Sequence, residues 1–161
     1  MKNILCILLI LLIIISCGED NCQDETIECS VQIGRMDILG SRDSIQQPIV
    51  LIIREGDDVI FDIIQNGAQC DDIFDDETGQ QITFSIDPQI EQLEVRDQEL
   101  SSVKAIHQEF GAWINRGALI DKGYINIRKI TEDSWEIEGE LEIEPIQFEE
   151  SIFSFNKVFS R

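Results

Sequence analysis

The chain has 161 residues, of which 32 are acidic and 12 are basic, so its formal net charge is −20. This length allows one domain of ordinary size and leaves no room for a second. The negative charge argues against nucleic acid and bare anionic lipid surfaces as partners. A solvated acidic surface is the simplest interpretation, with a cationic partner or a divalent metal as the alternative.

The first fifteen residues have the pattern of a secretory signal. Met1-Lys2-Asn3 supplies one positive charge, and the apolar residues 4–15 follow without a polar break. A run of about twelve residues is shorter than the roughly 20 that a membrane-spanning helix needs. The run is therefore interpreted as the apolar part of a signal peptide.

The run ends in Ile14-Ile15-Ser16-Cys17, which resembles the lipobox of bacterial lipoproteins. In that family a diacylglycerol is attached to the cysteine thiol and the peptidase cuts before that cysteine. The resemblance implies that residues 1–16 are a signal peptide and that Cys17 carries the lipid, which would anchor the protein permanently in the membrane. The alternatives are an ordinary secretory signal or a short uncleaved anchor.

The residues after Cys17 are polar and acidic, and they predict a flexible tether over 17–29, followed by one domain over 30–161. Glu19 and Asp20 directly after the lipidated cysteine resemble the surface-export signal of lipoproteins from Bacteroidota. This resemblance implies a place in the cell envelope at the outer membrane, on its periplasmic or its surface side.

Three cysteines remain after removal of the signal and lipidation of Cys17, namely Cys22, Cys29 and Cys70. An exported protein lies in an oxidising compartment where disulfides persist. One intramolecular pair can form, and one thiol is left over. We expect Cys29 to pair with Cys70, in preference to Cys22 with Cys29.

Strand patterns begin at residues 49–53, a continuous β-branched run that suits a strand buried on both faces. Residues 56–58 are interpreted as a turn and residues 59–64 as the next strand. Asn66-Gly67 is a strong hairpin signal, since both residues accept positive φ. It predicts a hairpin that continues through Cys70 to Phe74, and residues 82–86 then alternate as a further strand.

The second half of the chain contains the clearest alternation. Residues 89–110 predict a short helix or an irregular connection, because helical and strand periodicities overlap there. Apolar and polar residues alternate over 124–130, and residues 135–143 alternate without a break against glutamates. A last strand carries Phe153, Phe155 and Phe159 on one face. The chain is therefore expected to be mainly β, as an antiparallel sandwich or a small barrel.

These last strands resemble the C-terminal meander of small, uncharacterised β-rich lipoproteins of Bacteroidota. The motif is Gly-x-Ile-x-Ile at residues 123–127, a short turn, an alternating strand over 135–143 and a Phe-rich end. Leu141 stands where those proteins have an aromatic residue. The resemblance covers about a quarter of the chain and implies fold and location only.

The chemistry of the side chains does not predict an enzyme. His107 is the single histidine, and no Gly-x-Ser-x-Gly motif accompanies it, so a surface or packing role is expected. With one histidine and no Cys-x-x-Cys, neither a zinc site nor a cofactor is predicted. Trp135 is expected in the core because of its alternation, and Trp113 is the better candidate for exposure at an interface.

Two classes of function remain open. The first is a noncatalytic envelope lipoprotein that binds a protein or a small ligand or has a structural role. The second is a lipoprotein hydrolase acting on glycan or peptide, in which paired carboxylates would do the chemistry. The first class is preferred because it needs only the surface of a β domain.

The densest acidic group comprises Asp71, Asp72, Asp75, Asp76 and Glu77, and we predict that it is not a high-affinity calcium site. Calcium needs 6–8 oxygens converging from a fixed turn, and no glycine precedes Gly79 in this loop. Titration calorimetry should show no binding tighter than roughly millimolar. A micromolar affinity that is lost on Asp75→Asn would contradict this prediction.

Overall fold

Alternation of apolar and polar residues organises most of the chain into strands. The computed structural model describes residues 22–39, 49–67, 69–70, 78–111, 114–143 and 152–161. Within these ranges there is one short 3₁₀ helix, Asp97–Val103. The strands are β1 (Cys22–Gln23), β2 (Thr26–Leu39), β3 (Val50–Asn66), β4 (Gln69–Cys70), β5 (Gly79–Ile86), β6 (Gln92–Arg96), β7 (Ile106–Gly111), β8 (Ile114–Leu119), β9 (Gly123–Thr131), β10 (Ser134–Glu142) and β11 (Ile152–Ser160).

The strands form three sheets, and each strand pair is antiparallel. The large sheet has the order β2-β3-β5-β7-β8, and the small sheet has the order β11-β10-β9-β6. Strands β1 and β4 form a separate two-stranded sheet. The large and small sheets contribute to one apolar core, so the expectation of an antiparallel sandwich is confirmed.

The core lies between the inner faces of the two sheets. From the large sheet it contains Val59, Phe61, Ile63, Ile82, Phe84 and Ile86, and from the small sheet Val95, Ile125, Ile127, Trp135, Ile137, Leu141, Phe153, Phe155 and Phe159. These residues alternate with polar or exposed ones along most of their strands, as a sheet with one buried face requires. Burial of Trp135 confirms its predicted place in the core.

Phe61 lies at the centre of this core, with none of its surface exposed. Its ring centroid is 5.3 Å from that of Phe84 in the neighbouring strand. Across the interface it is 5.6 Å from Trp135 and 5.3 Å from Phe159, both in edge-to-face geometry. Edge-to-face contact suits the charge distribution of aromatic rings, so Phe61 joins the two sheets.

The last three strands form the predicted meander, in which β9, β10 and β11 are consecutive neighbours. Strand β10 is central in the small sheet, and its glutamates alternate with the buried residues. Gly139 lies opposite Phe155 in the ladder, and a Cβ there would be 2.5 Å from the Phe155 ring. Glycine therefore makes room for a core aromatic ring from the neighbouring strand.

Strands β2 and β3 form a long ribbon, and the turn predicted at residues 56–58 is wrong. Gly34 pairs with Asp58 but Arg35 pairs with Arg54, so residues 55–57 form a bulge inside β3. A Cβ on Gly56 would lie 2.6 Å from the Cβ of Arg35. Glycine is needed there for close approach of the two strands and not for a chain reversal.

Beyond the bulge the ribbon extends past β5, because β3 pairs with β5 only from Val59 onward. Residues 50–53 of the predicted run 49–53 form the start of β3, but Val50 and Ile53 are exposed, so the predicted burial on both faces is wrong. One side of the ribbon covers a second, smaller core, which consists of Met36, Ile49, Ile60 and Ile106. Val50 lies on the other side of the ribbon, whereas Ile53, the ladder partner of Met36, lies on the side of the smaller core and is still 39% exposed.

Chain reversal does begin at Asn66-Gly67, where the Gly67 N–H donates to the Thr78 carbonyl over 2.8 Å. However, Asn66 pairs with Gly79, so the partner strand is β5 and the connection spans residues 67–78. Strand β4 within this connection pairs with β1. Phe74, to which the predicted hairpin extended, lies outside the described residues.

The ordered sheets begin earlier than the sequence indicates. Strand β2 starts at Thr26, inside the predicted tether, and pairs with the end of β3. The Asn66 side-chain amide donates to the Thr26 hydroxyl over 3.3 Å, and Gln65 donates to Glu25 over 3.3 Å. Main-chain pairing and these polar contacts order a segment that buries little apolar surface.

Residues 89–110 contain the predicted short helix, but two strands that were not predicted, β6 and β7, flank it. Strand β6 joins the small sheet, and the 3₁₀ helix that follows places Leu100 and Val103 in the core. Lys104 ends this helix in the left-handed region with φ of 53°, and its ammonium group donates to the Met36 carbonyl over 2.7 Å. The segment then enters the large sheet as β7, so it is one of the connections between the two sheets.

The alternation of β10 predicts opposite effects for two adjacent substitutions. Leu141 is fully buried and Glu140 is exposed. Leu141→Asp should lower the free energy of unfolding by several kcal/mol, which is comparable with the whole stability of a small domain. Glu140→Lys should change it by no more than about 0.5 kcal/mol. Urea unfolding measures both, and equal midpoints would contradict the assignment of faces.

Candidate functional site

His107 lies in β7, in the interior of the large sheet. It is opposite Ile82 in β5 and Ala118 in β8, and only 3% of its surface is exposed. Of the surface and packing roles that the sequence leaves open for this residue, the position is that of a packing residue. The position also places the ring beside the end of β8, where the chain crosses to the small sheet.

Four residues, Gln65, Gln80, His107 and Glu109, form a polar row on the inner face of the large sheet. His107 Nε2 is 3.1 Å from Gln80 Oε1, and the Gln80 amide donates to Gln65 Oε1 over 2.9 Å. Because Gln80 Oε1 can only accept, His107 Nε2 carries the proton in this contact. Glu109 is 1% exposed and lies opposite Gln80 in the ladder. The polar row therefore ends the apolar core on this side.

Burial lowers the pKa of His107 below its ordinary value, and the nearby Glu109 carboxylate opposes this shift in part. The ring is therefore neutral at pH 7, with one N–H and one lone pair. A neutral imidazole donates to Gln80 without bringing an additional charge into the core.

A small cleft lies next to His107, at the crossing from β8 to β9. Its lining includes Asp121, Lys122 and Glu142, and Lys122 forms a 2.8 Å ion pair with Glu142. The cleft has a volume of about 60 Å³, whereas small-molecule sites usually have 300 Å³ or more. None of the described residues that line it is serine, threonine or cysteine, so they supply no hydroxyl or thiol nucleophile beside His107.

The outer face of the small sheet carries Glu136, Glu138, Glu140 and Glu142 at every second position of β10, and these four residues are called the acidic face. The cations Lys122 and Arg128 form ion pairs with this face. Arg128 pairs with Glu136, and the Asn126 amide donates to Glu138 over 3.4 Å. Arg96 of β6 stacks on the Tyr124 ring at 4.9 Å.

Two shallow depressions lie on the acidic face. One is lined by Asn126, Arg128 and Glu138 among others and has about 160 Å³; the other includes Glu140, Glu142 and Ile152 and has about 280 Å³. Both are smaller than usual small-molecule pockets. A flat, charged and exposed sheet surface of this kind suits contact with another macromolecule more than enclosure of a ligand.

Sequence reasoning missed a buried carboxylate on the outer face of the large sheet. Asp62 is 4% exposed and accepts hydrogen bonds from Thr83 over 2.7 Å, from Gln81 over 2.7 Å and from Gln32 over 3.0 Å. These three donors are neutral and come from two neighbouring strands. The contacts satisfy the carboxylate and fix the register of β3 against β2 and β5, which is a structural role.

The predicted cysteine sites are distributed over different parts of the fold. Cys17, the expected lipid attachment site, lies outside the described residues. Cys29 lies in β2 opposite Ile63 and is a free, exposed cysteine. Cys70 lies in β4 opposite Cys22. The structure therefore does not bring Cys29 together with Cys70, the expected pair, and it aligns Cys70 with a cysteine that the sequence did not suggest as its partner.

Several other predicted features lie outside the part of the chain that is described, namely Trp113 and the acidic residues 71–77. Within the described ranges, no group of three or more histidine, cysteine or acidic residues could hold a metal ion. The described residues also contain no helix of the length and apolar character that crossing a bilayer requires.

Comparison of the chain with family models, with curated proteins and with solved structures finds no match. The fold and the side-chain geometry described above are therefore the basis for the function that we propose.

His107 makes a testable contribution to the pH dependence of stability. Because the folded chain disfavours the charged imidazole, the unfolded chain binds more protons below the ordinary pKa of about 6.5, and the free energy of unfolding falls as the pH falls through that value. His107→Gln keeps an amide that can contact Gln80 and removes this titration. Urea midpoints should fall more between pH 7 and pH 5 in the wild type than in the variant. Equal falls would show that His107 does not titrate differently on folding.

Proposed function

We propose that the chain is a lipoprotein of the bacterial cell envelope, anchored in the outer membrane through Cys17, whose sandwich is a noncatalytic binding or structural module. The observation that carries this proposal is the sequence Ile14-Ile15-Ser16-Cys17 at the end of an apolar run of about twelve residues. A lipid on Cys17 makes the membrane the one defined partner.

The short distance in sequence between Cys17 and the first described strand supports this arrangement. Strand β1 begins at Cys22, only five residues after Cys17. Five residues span at most about 18 Å even when fully extended. A lipid on Cys17 would therefore hold this end of the domain close to the membrane surface.

The charge of the domain supports an envelope protein or a small cationic ligand as a further partner. Removal of residues 1–16 takes away Lys2 and leaves 11 basic against 32 acidic residues, a net charge of about −21. Electrostatic repulsion between these acidic residues and anionic lipid headgroups keeps the domain from lying flat on the membrane. The acidic face, with Glu140 and Glu142 exposed, is the surface on which a cationic partner would be attracted.

A lipoprotein hydrolase acting on glycan or peptide is the second candidate, and the neighbourhood of His107 is what favours it. Asp121 and Glu142 lie in the same cleft as His107. Against it stand the burial of the imidazole, its hydrogen bond to Gln80 and the small volume of the cleft. Hydrolysis of a peptidoglycan or peptide substrate that is lost on His107→Gln, with folding retained, would favour this candidate over a noncatalytic module.

Lipidation of Cys17 is tested on the full chain expressed in a bacterium. Mass spectrometry should find a mature N-terminus at Cys17 that carries acyl chains, and the protein should sediment with membranes. Cys17→Ser should abolish acylation, whereas the control Cys6→Ser, within the apolar run, should leave it intact. Cleavage at another residue, or an unmodified thiol at position 17, would overturn the proposed anchor.

A further inference from the structure

The two-stranded sheet of β1 and β4 brings two cysteines into register. Cys22 is the direct partner of Cys70, and Gln23 is the partner of Gln69 in the same antiparallel ladder. Forty-seven residues separate the two cysteines in the sequence, and their alignment results from the long connection between β3 and β5. No sequence pattern indicates this pairing.

Directly opposite residues of an antiparallel pair have Cα atoms about 4.5–5.5 Å apart and lie on the same face of the ladder. Disulfides need Cα atoms about 4.4–6.8 Å apart. The Cα separation expected for Cys22 and Cys70 therefore lies within the disulfide range, whether or not the two residues form a hydrogen-bonded pair. We propose that Cys22 and Cys70 form an intramolecular disulfide.

The surroundings of Cys29 support this pairing over the one expected from the sequence. Cys29 is opposite Ile63 in the middle of the β2–β3 ladder, and its thiol is free and exposed. Partial burial raises the pKa of the Cys29 thiol, and Lys157 opposes this only in part. Because Cys29 is aligned with Ile63 and Cys70 is aligned with Cys22, Cys29 remains as the leftover thiol, and its raised pKa leaves little of the reactive thiolate there.

Formation of the bond is a two-electron oxidation. The Cys22 and Cys70 thiols lose two protons and two electrons and form one S–S bond. A disulfide oxidant such as oxidised glutathione accepts them and becomes two thiols, with a mixed disulfide as the intermediate. That an oxidising compartment surrounds the protein rests on the proposed export to the cell envelope.

The disulfide would determine where the membrane tether ends. It closes a loop of about 49 residues and attaches the chain covalently to the domain five residues after Cys17. Without it, the chain could separate from the domain up to β2, which begins at Thr26. The free tether would then be about nine residues, with an extended reach of about 32 Å instead of about 18 Å.

Digestion of the unreduced, exported full chain after glutamate tests the pairing directly. Cleavage after Glu19, Glu25, Glu28, Glu55 and Glu77 places each cysteine in its own peptide, with Cys22 in residues 20–25, Cys29 in 29–55 and Cys70 in 56–77. Mass spectrometry should find peptide 20–25 linked to peptide 56–77. A link that involves peptide 29–55, or three unlinked peptides, would overturn the proposal. Because none of these peptides contains Cys17, the result does not depend on lipidation.

Thermal unfolding supplies a second measurement with matched variants. Reduction, Cys22→Ser and Cys70→Ser should each lower the Tm by about 10 °C, as expected for a loop of this length in a domain of this size. Cys29→Ser is the control, since it should keep the link between peptides 20–25 and 56–77 and leave the Tm within a degree or two. A Tm that is insensitive to reduction, or a link that is lost in Cys29→Ser, would contradict the pairing.

Discussion

Contact of Phe61 with Trp135 and Phe159 is the interaction on which the sandwich depends. Each sheet alone would expose one apolar face, and the three rings meet where those faces are closest. Aromatic side chains bury about 150–250 Å² each, so a few of them dominate the energy of a core this small. Among the described residues, the Trp135 indole N–H is buried without a hydrogen-bond partner. An unsatisfied donor costs about 1–3 kcal/mol, which shows that the shape of the ring outweighs its polar atom at this position.

Polar groups in the interior follow a division between the centre and the periphery of the fold. The middle of the core is aromatic and aliphatic, and Gln65, Gln80 and His107 appear only where the large sheet extends beyond it. Asp62 is on the opposite face, satisfied by three neutral donors. Neutral hydrogen bonds, rather than ion pairs, thus fix the register of the central strands. The described ion pairs that involve β10 lie at the surface, where each is worth little on its own. Two of the described carboxylates, Asp62 and Glu109, are nevertheless buried.

The strands with period-two alternation could be predicted from the sequence, and those whose position depends on distant partners could not. Residues 135–143 alternate so regularly that the sequence predicts the strand, the face that each residue occupies and which residues are buried. The spacing of Phe153, Phe155 and Phe159 predicts the same for the last strand. Gly56 predicts a turn in the sequence although it lies in a bulge, because turns and bulges both select glycine, and only the position of Arg35 distinguishes them. The packing of His107 was predictable in kind, but Gln80, its partner 27 residues away, was not. The alignment of Cys22 with Cys70 likewise results from topology, which a local pattern does not encode.

The contact between Phe61 and Phe159 has a consequence for the rate of folding. The two rings are 98 residues apart in the sequence and meet in the core with centroids 5.3 Å apart. A contact of this kind stabilises the domain only after a long loop has closed, and the entropy of closing that loop opposes folding. The sandwich is therefore expected to fold in milliseconds to seconds, more slowly than a helical domain of the same size.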